Sequence, residues 1–244
     1  MVRNLKEDLR KLADPERARI LSRFFKTGKG EYGEGDVFLG ITVPQQRRLA
    51  KMYPDLSLED IGKLLWSKAH EERLVSLFIL ITQYRRSDRV GKEEILNFYL
   101  RNTKRINNWD LVDASAGPIL GDYLTDRDRS VLVKLARSTD LWERRIAIMA
   151  TFAFIKDNDF GDTLRIAELL LRDGHDLIHK AVGWMLREVG KRDREKEKEF
   201  LERHCHEMPR TMLRYAIERF GEKERKDYLN KYRGGKSVTK VRAT

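Results

Sequence analysis

Cysteine is almost absent from this chain. The single thiol, Cys205, excludes an internal disulfide and suits a reducing compartment. Proline is scarce too, five in 244 residues, so helices can run with few interruptions. No apolar run approaches the roughly 18 residues that a membrane-spanning helix needs. The first residues, Met1-Val2-Arg3-Asn4-Leu5-Lys6-Glu7, lack the apolar centre of a secretory signal. The expectation is a cytoplasmic protein that makes no membrane contact and is nucleoid-associated if its partner is DNA. Sustained period-two alternation is also missing, which argues against a sheet.

Charge is what the chain has in abundance. Charged residues make up 36% and hydrophobic residues 41%, enough apolar material for a sizeable core. The formal net charge is +11. That balance suits a polyanion, most simply nucleic acid. A Lys/Arg/Glu-rich thermophile surface is the competing explanation.

Apolar residues recur at helical spacing nearly everywhere: Leu74, Leu77, Phe78 and Ile81; Ile146, Met149, Ala150 and Ala153; Leu177, Ala181, Met185 and Val189. The fold class is therefore all-α. The segments also repeat. Glu72-Arg73-Leu74-Val75-Ser76-Leu77-Phe78 resembles Arg144-Arg145-Ile146-Ala147-Ile148-Met149-Ala150 at a distance of 72, Trp109 falls midway, and Lys180 lies 35 beyond Arg145. A period of this size with two helices per unit predicts a HEAT-like solenoid with a concave surface. One such domain is expected over 1–230, followed by a basic, flexible tail over 231–244. In that register Arg73, Trp109, Arg145 and Lys180 form one column. Leu77, Asp113, Met149 and Trp184 form a second, one turn on.

Asp113 is the most unusual member. In Asn108-Trp109-Asp110-Leu111-Val112-Asp113-Ala114-Ser115-Ala116 it falls one turn beyond Trp109, beside Val112, Ala116 and Leu120. A charge on an apolar face costs several kcal/mol unless it is paired, so it implies a nearby cation or a chemical task. Arg145 interrupts a second apolar stripe, with Leu141, Ile148 and Phe152. A structural salt bridge, even to Asp113, is one reading of it. Arg144 beside it is a candidate DNA contact, and Asp140 is placed to cap their helix. Lys180, Trp184, Arg187 and Lys191 share one face of a later helix, a pattern suited to backbone contacts and stacking on DNA. A snorkelling basic face with a half-buried tryptophan competes with that reading.

Other patterns carry less. Gly28, Gly30 and Gly33 formally match G-x-G-x-x-G, but a helix precedes them and Glu31, Glu34 and Asp36 would repel phosphate. A turn with positive φ angles is expected instead of a nucleotide site. His175 and His179 lie four apart with no further ligand evident, and His204-Cys205-His206 is too compressed to chelate from a helix. Capping or surface roles are expected, with no metal and no cofactor.

Together, Glu31-Tyr32-Gly33-Glu34-Gly35-Asp36 leading to Phe38-Leu39-Gly40-Ile41, Trp109-Asp110-Leu111-Val112-Asp113, Trp142-Glu143-Arg144-Arg145, and Lys180-Ala181-Val182-Gly183-Trp184-Met185-Leu186-Arg187-Glu188 resemble the AlkD family of DNA alkylation repair proteins. The resemblance covers most of the chain. It implies a HEAT-like solenoid that cradles duplex DNA in a basic cleft, as a monomer. It also implies a glycosylase that removes cationic N3- and N7-alkylated purines without flipping them. The family's essential Trp, Asp and Arg match Trp109, Asp113 and Arg145, its second cleft Trp matches Trp184, and a backbone-contacting Arg matches Arg187. Two positions depart: Phe24 is the nearest counterpart of a cleft tyrosine, and Asn108 stands where another aromatic is found.

The chemistry that these residues would serve is consistent. A cationic base leaves without a general acid, so the remaining task is to stabilise an oxocarbenium-like sugar. A fixed carboxylate, Asp113, would do this and could hold the attacking water. Trp109 and Trp184 would face the cationic nucleotide. Arg145 would orient Asp113 and grip a phosphate, while Lys180, Arg187 and Lys191 hold the flanking backbone. A non-catalytic protein that binds branched or distorted DNA through the same cleft is the alternative function. A protein-binding HEAT scaffold is a third.

Overall fold

The computed structural model describes residues 1–239, with side chains described through 231. The end of the expected tail, 240–244, lies outside the described residues. Among those residues the chain is all-helical apart from one isolated bridge between Val37 and Ala69. No helix there is long and apolar enough to cross a membrane. The chain divides into two compact units, Met1–Tyr123 and Leu124–Thr244.

The first unit contains α1 (Val2–Lys11), α2 (Pro15–Phe24), α3 (Val43–Met52), α4 (Leu58–Leu65), α5 (His70–Arg86), α6 (Arg89–Arg101) and α7 (Trp109–Ala116). Local chemistry sets most of the starts. Asp14 accepts from the Arg17 amide ahead of Pro15, Thr42 and Gln45 form a capping box, and Ser57 and Asp88 cap α4 and α6. The central element is α5. Leu74, Val75, Leu77, Ile79 and Leu80 are all essentially inaccessible, so this helix is apolar on every side and is packed by α3, α4 and α7. After α7 the chain widens into a π-helical turn, Gly117–Gly121. Pro118 supplies the cause, since it has no N–H to donate to the preceding turn.

The segment between α2 and α3 is the expected loop. Gly30 and Gly35 adopt φ of 79° and 85°. Beyond them Gly40, at φ 84°, lets the backbone pass tightly over Asp14, where a Cβ would collide with the Asp14 carbonyl. The buried Glu71 carboxylate holds this stretch by accepting from the amides of Leu39 (2.9 Å), Gly40 (2.8 Å) and Ile41 (3.2 Å).

The second unit contains α8 (Ser130–Ala136), α9 (Leu141–Ala150), α10 (Phe152–Lys156), α11 (Gly161–Leu169), α12 (Asp176–Gly190), α13 (Arg194–His204), α14 (Arg210–Ala216) and α15 (Glu222–Thr239). Asp140 caps α9 as expected, accepting from Trp142 (2.7 Å) and Glu143 (3.3 Å). The core of the unit is α12, with Ile178, Ala181, Val182, Met185, Leu186 and Val189 fully buried. It packs against α9 and α13 and most extensively against α14. The close crossing with α14 depends on Gly183, where a Cβ would meet the Met212 carbonyl oxygen and, at 2.5 Å, the Tyr215 Cβ.

Candidate functional site

In the first unit the site is built on the N-terminus of α7. Asn108 caps that helix from a fully buried position. Its Oδ1 accepts from the Trp109 amide at 2.8 Å and its Nδ2 donates to Asp36 at 3.2 Å. A phenylalanine in its place could make neither contact. Behind it lies a cluster of buried charge. Asp36 takes a 2.6 Å ion pair from Arg73 and a 3.3 Å contact from His70 Nδ1, while His70 Nε2 meets Asp110 at 2.8 Å. Arg73 also donates to Asn107 at 2.9 Å. A guanidinium and an imidazole thus face two carboxylates, which lets charge persist away from water.

This cluster perturbs its members in a definite direction. Burial pushes the His70 imidazole down, but Asp110 and Asp36 more than offset it, so His70 titrates above its ordinary value. For Asp36 burial opposes ionisation, yet the hydrogen bonds from His70 and Arg73 hold its pKa below the usual carboxylate range. Asp36 therefore stays ionised, His70 keeps its proton to higher pH than a free imidazole, and Asp110 anchors the first turn of α7 through that ring. Arg73 is buried in this cluster at 3% exposure, so it braces the site from behind rather than lining a surface column as its register predicts.

Trp109 projects from this anchored end. Its ring stacks on Phe25 at 5.1 Å and 7°, and Phe24 meets its edge at 6.0 Å and 77°. Phe25 in turn stacks on Phe38, which stacks on His70. The indole is thus fixed by an aromatic column that ends in the charged cluster. Phe24 is 61% exposed beside it. Asp36 and Asp110 figured above only within their local motifs, and neither Phe25 nor His70 was named. The two acids lie 34 and 40 residues from His70, and no local pattern links them.

One turn on, Asp113 differs from its sequence reading. The buried face of α7 is Leu111, Val112, Ser115 and Ala116, and Asp113 flanks it, partly accessible with Ala114. Rather than a core carboxylate, it is a carboxylate at the edge of the core. A four-residue neighbourhood places it beside Val112 and Ala116 but cannot tell edge from centre. Asp113 interacts with groups around it, and its charge reaches the buried Tyr99. There burial, with Asp113 adding to it, pushes the phenol pKa up, although the Ser115 hydrogen bond works the other way.

In the second unit Arg145 is 4% exposed and donates to the Leu177 carbonyl at 2.5 Å, tying α9 to the first turn of α12. Arg144 is committed to Asp173 at 2.6 Å and to the carbonyls of Ser138 (3.0 Å) and Thr139 (2.9 Å), which makes it a brace. The cations of α12 each carry an acid. Lys180 pairs with Asp176 at 2.6 Å, Lys191 with Glu188 at 2.6 Å, and Arg187 with Glu218. Trp184 is half-buried, donates to Glu188 at 2.9 Å and lies 6.5 Å from Phe152, over which Lys156 sits at 4.9 Å. The stripe expected from the sequence is therefore present, but it is a stripe of ion pairs. The lysine charges in such pairs reach a polyanion only after partner exchange, whereas a guanidinium has donors for two anions.

The remaining candidates have structural roles. His175 accepts from the Leu177 amide as the cap of α12, and His179 contacts the Asp173 carbonyl at 2.5 Å. Burial lowers the His175 pKa. Cys205 is buried, and burial raises its thiol pKa, the opposite of an activated nucleophile. Among the described residues no group of His, Cys, Asp and Glu is placed to hold a metal.

The chain belongs to the family described as DNA alkylation repair enzyme, whose model matches residues 5–220. Its fold is similar to that of a predicted DNA alkylation repair enzyme from Enterococcus faecalis, at 17% identity and a TM-score of 0.66 over 86% of this chain and 97% of the other. It is also similar to AlkD2 from Streptococcus mutans, at 16% identity and a TM-score of 0.52 over 83% of this chain and 97% of that one. Among curated protein sequences, none matches.

Proposed function

We propose that this protein is a DNA glycosylase that excises positively charged N3- and N7-alkylated purines from duplex DNA, without base flipping. The observation that carries this reading is Asp113. It is a partly accessible carboxylate one turn beyond Trp109, on a helix whose first turn is anchored by buried charge. Family membership supports a repair role. Hydrolysis of a cationic nucleoside asks little of an acid, because the base leaves neutral. It asks for negative charge held close to the sugar as C1′ becomes electron-poor, and a fixed carboxylate supplies that without reorganising. Water then adds to C1′ and gives up its proton, for which Asp113 is the acceptor.

In this reading Trp109 and Phe24 meet the nucleotide, and Trp184 supplies a second aromatic surface. Lys180 and Lys191 hold backbone phosphates by exchanging Asp176 and Glu188 for them, and Arg187 does so with the guanidinium donors that Glu218 does not occupy. Arg145 and Arg144 position α9 and α12. The units would belong to a HEAT-like solenoid that acts as a cytoplasmic monomer.

The test is to incubate the protein with methylated duplex DNA and quantify free 7-methylguanine and 3-methyladenine. Asp113→Asn should lower release at least about a hundredfold, the scale of losing one preorganised electrostatic contact, while DNA affinity is kept. Wild-type binding with no release would instead favour a non-catalytic DNA-binding protein. Undiminished release by Asp113→Asn would remove Asp113 from the chemistry.

A further inference from the structure

The second unit has a cavity of about 520 Å³ lined by Thr211, Arg214, Tyr215, Glu218 and Arg225. It differs from the neighbouring α12 stripe in one respect. On that stripe Lys180, Arg187 and Lys191 each carry an acid. Arg214 and Arg225, in contrast, make no side-chain hydrogen bond or ion pair with any described residue, and the Arg225 Nε is buried without a partner. Two guanidinium groups therefore share one wall with no counter-charge of their own. The one carboxylate in that wall, Glu218, is already taken by Arg187.

The cavity is also placed in register with the α12 stripe. The Tyr215 Cβ lies over Gly183, the neighbour of Trp184. Gly183 also faces Met212 and Ala216, and one turn on Arg187 reaches Glu218. So α14 and the turn after it run beside α12 in the same direction, Met212 to Glu218 alongside Gly183 to Arg187. The step from Lys180 to Tyr215 is 35 residues, as it is from Arg145 to Lys180. The repeat thus continues one helix beyond the last position that the sequence motifs mark.

We propose that this cavity is a backbone-phosphate site, one helix past Trp184, that takes a DNA phosphodiester between Arg214 and Arg225. The inference rests on the reading of the protein as a DNA-binding repair enzyme and extends its footprint. Two unpaired guanidinium groups call for an anion, and their donors suit the oxygens of phosphate. The tethered carboxylate of Glu218 disfavours a free phosphate dianion more than a singly charged diester. Tyr215, 38% exposed, offers a hydroxyl and a ring edge to the adjoining sugar.

The test compares wild type with Arg214→Ala/Arg225→Ala for binding to centred duplexes of increasing length, across a salt series. Arg10→Ala/Lys51→Ala, two exposed cations of the first unit, controls for loss of net charge. On long duplexes the pocket variant should bind about tenfold more weakly than wild type and the control. Its log–log salt slope should be shallower by about one per phosphate lost. On duplexes too short to reach the pocket, the two proteins should bind alike. Arg214→Lys/Arg225→Lys should recover part of the affinity, since charge returns without the fork. Equal binding of long duplexes by wild type and the alanine variant overturns the proposal. That holds even if inorganic phosphate raises the melting temperature of wild type alone, which would mark a free-phosphate site. If wild type binds no DNA at any length, the repair reading itself fails, a result distinct from a silent variant.

Discussion

Replacing Gly183 with alanine separates two opposing effects at one position. In a helix interior, glycine to alanine gains about 0.5–1 kcal/mol by restricting the unfolded chain and favouring helix. Propensity alone would therefore make Gly183→Ala stabilising. The structure reverses that sign. The added methyl would meet the Met212 carbonyl oxygen and lie 2.5 Å from the Tyr215 Cβ, both rigid parts of α14 rather than ends of flexible side chains. Overpacking of this kind costs about 1–3 kcal/mol, so steric strain wins and the net loss is about 1–2 kcal/mol. For a chain of this size that is a fall in melting temperature of about 2–8 °C. Gly62→Ala in α4 is the matched control. There the new methyl meets only the Phe98 ring, at 3.7 Å, an ordinary contact, so propensity should prevail and the melting temperature should rise by about 1–4 °C. Thermal denaturation followed by circular dichroism reads both variants. A Gly183→Ala protein as stable as wild type would refute the close crossing of α12 and α14.

Three further expectations concern buried charge and caps. His70 has a raised folded pKa, so its stabilisation is fully present below about pH 6.5 and is lost as pH rises through that folded value. His70→Gln should be less stable at pH 6 and nearly equal to wild type in mild alkali, as measured by urea midpoints; an equal deficit at every pH would contradict the charged-imidazole assignment. Glu197 is buried against Gly190 with one oxygen unpartnered, and burial pushes its pKa up to about 8. The native state then holds a proton that the unfolded chain has released, so stability falls between about pH 4.5 and 8. Glu197→Gln should remove that decline, for a gain of roughly a few kcal/mol at pH 9 and little at pH 4; an unchanged pH profile would count against it. Asn108→Ala should cost about 0.5–2 kcal/mol and speed hydrogen exchange at the Trp109–Leu111 amides, leaving α9 protected. Unaltered exchange there would show that Asn108 is not what caps α7.

Periodicity and capping chemistry made the helices readable in advance, because both are local. The apolar spacing from Leu74 to Ile81 marks α5, and Asp140 marks the start of α9. The aromatic and acidic residues of α7 were also visible, along with the neighbouring Phe24. What could not be read was depth. Helical spacing puts Asp113 near Val112 and Ala116, yet only packing against α5 decides that its own side stays partly open. Partners distant along the chain were equally hidden. Nothing near Arg187 announces Glu218, 31 residues on, and nothing near Trp109 announces Asp36. Arg73 and Arg145 show the limit of register. Both fall in the column that the repeat predicts, and both are buried to hold neighbouring helices together.

The contact between Asp36 and Asn108 spans 72 residues and joins the glycine-rich loop to the cap of α7. A helix of eight residues is too short to persist alone in water. Its tryptophan-bearing end is therefore completed only by residues distant along the chain, those of α5 and of the loop that folds back across it. The loop is in this sense a clasp. Lengthening the chain around Gly30 should be tolerated, whereas any change that shifts Asp36 relative to Gly40 would leave the tryptophan and the carboxylate on an unfinished helix.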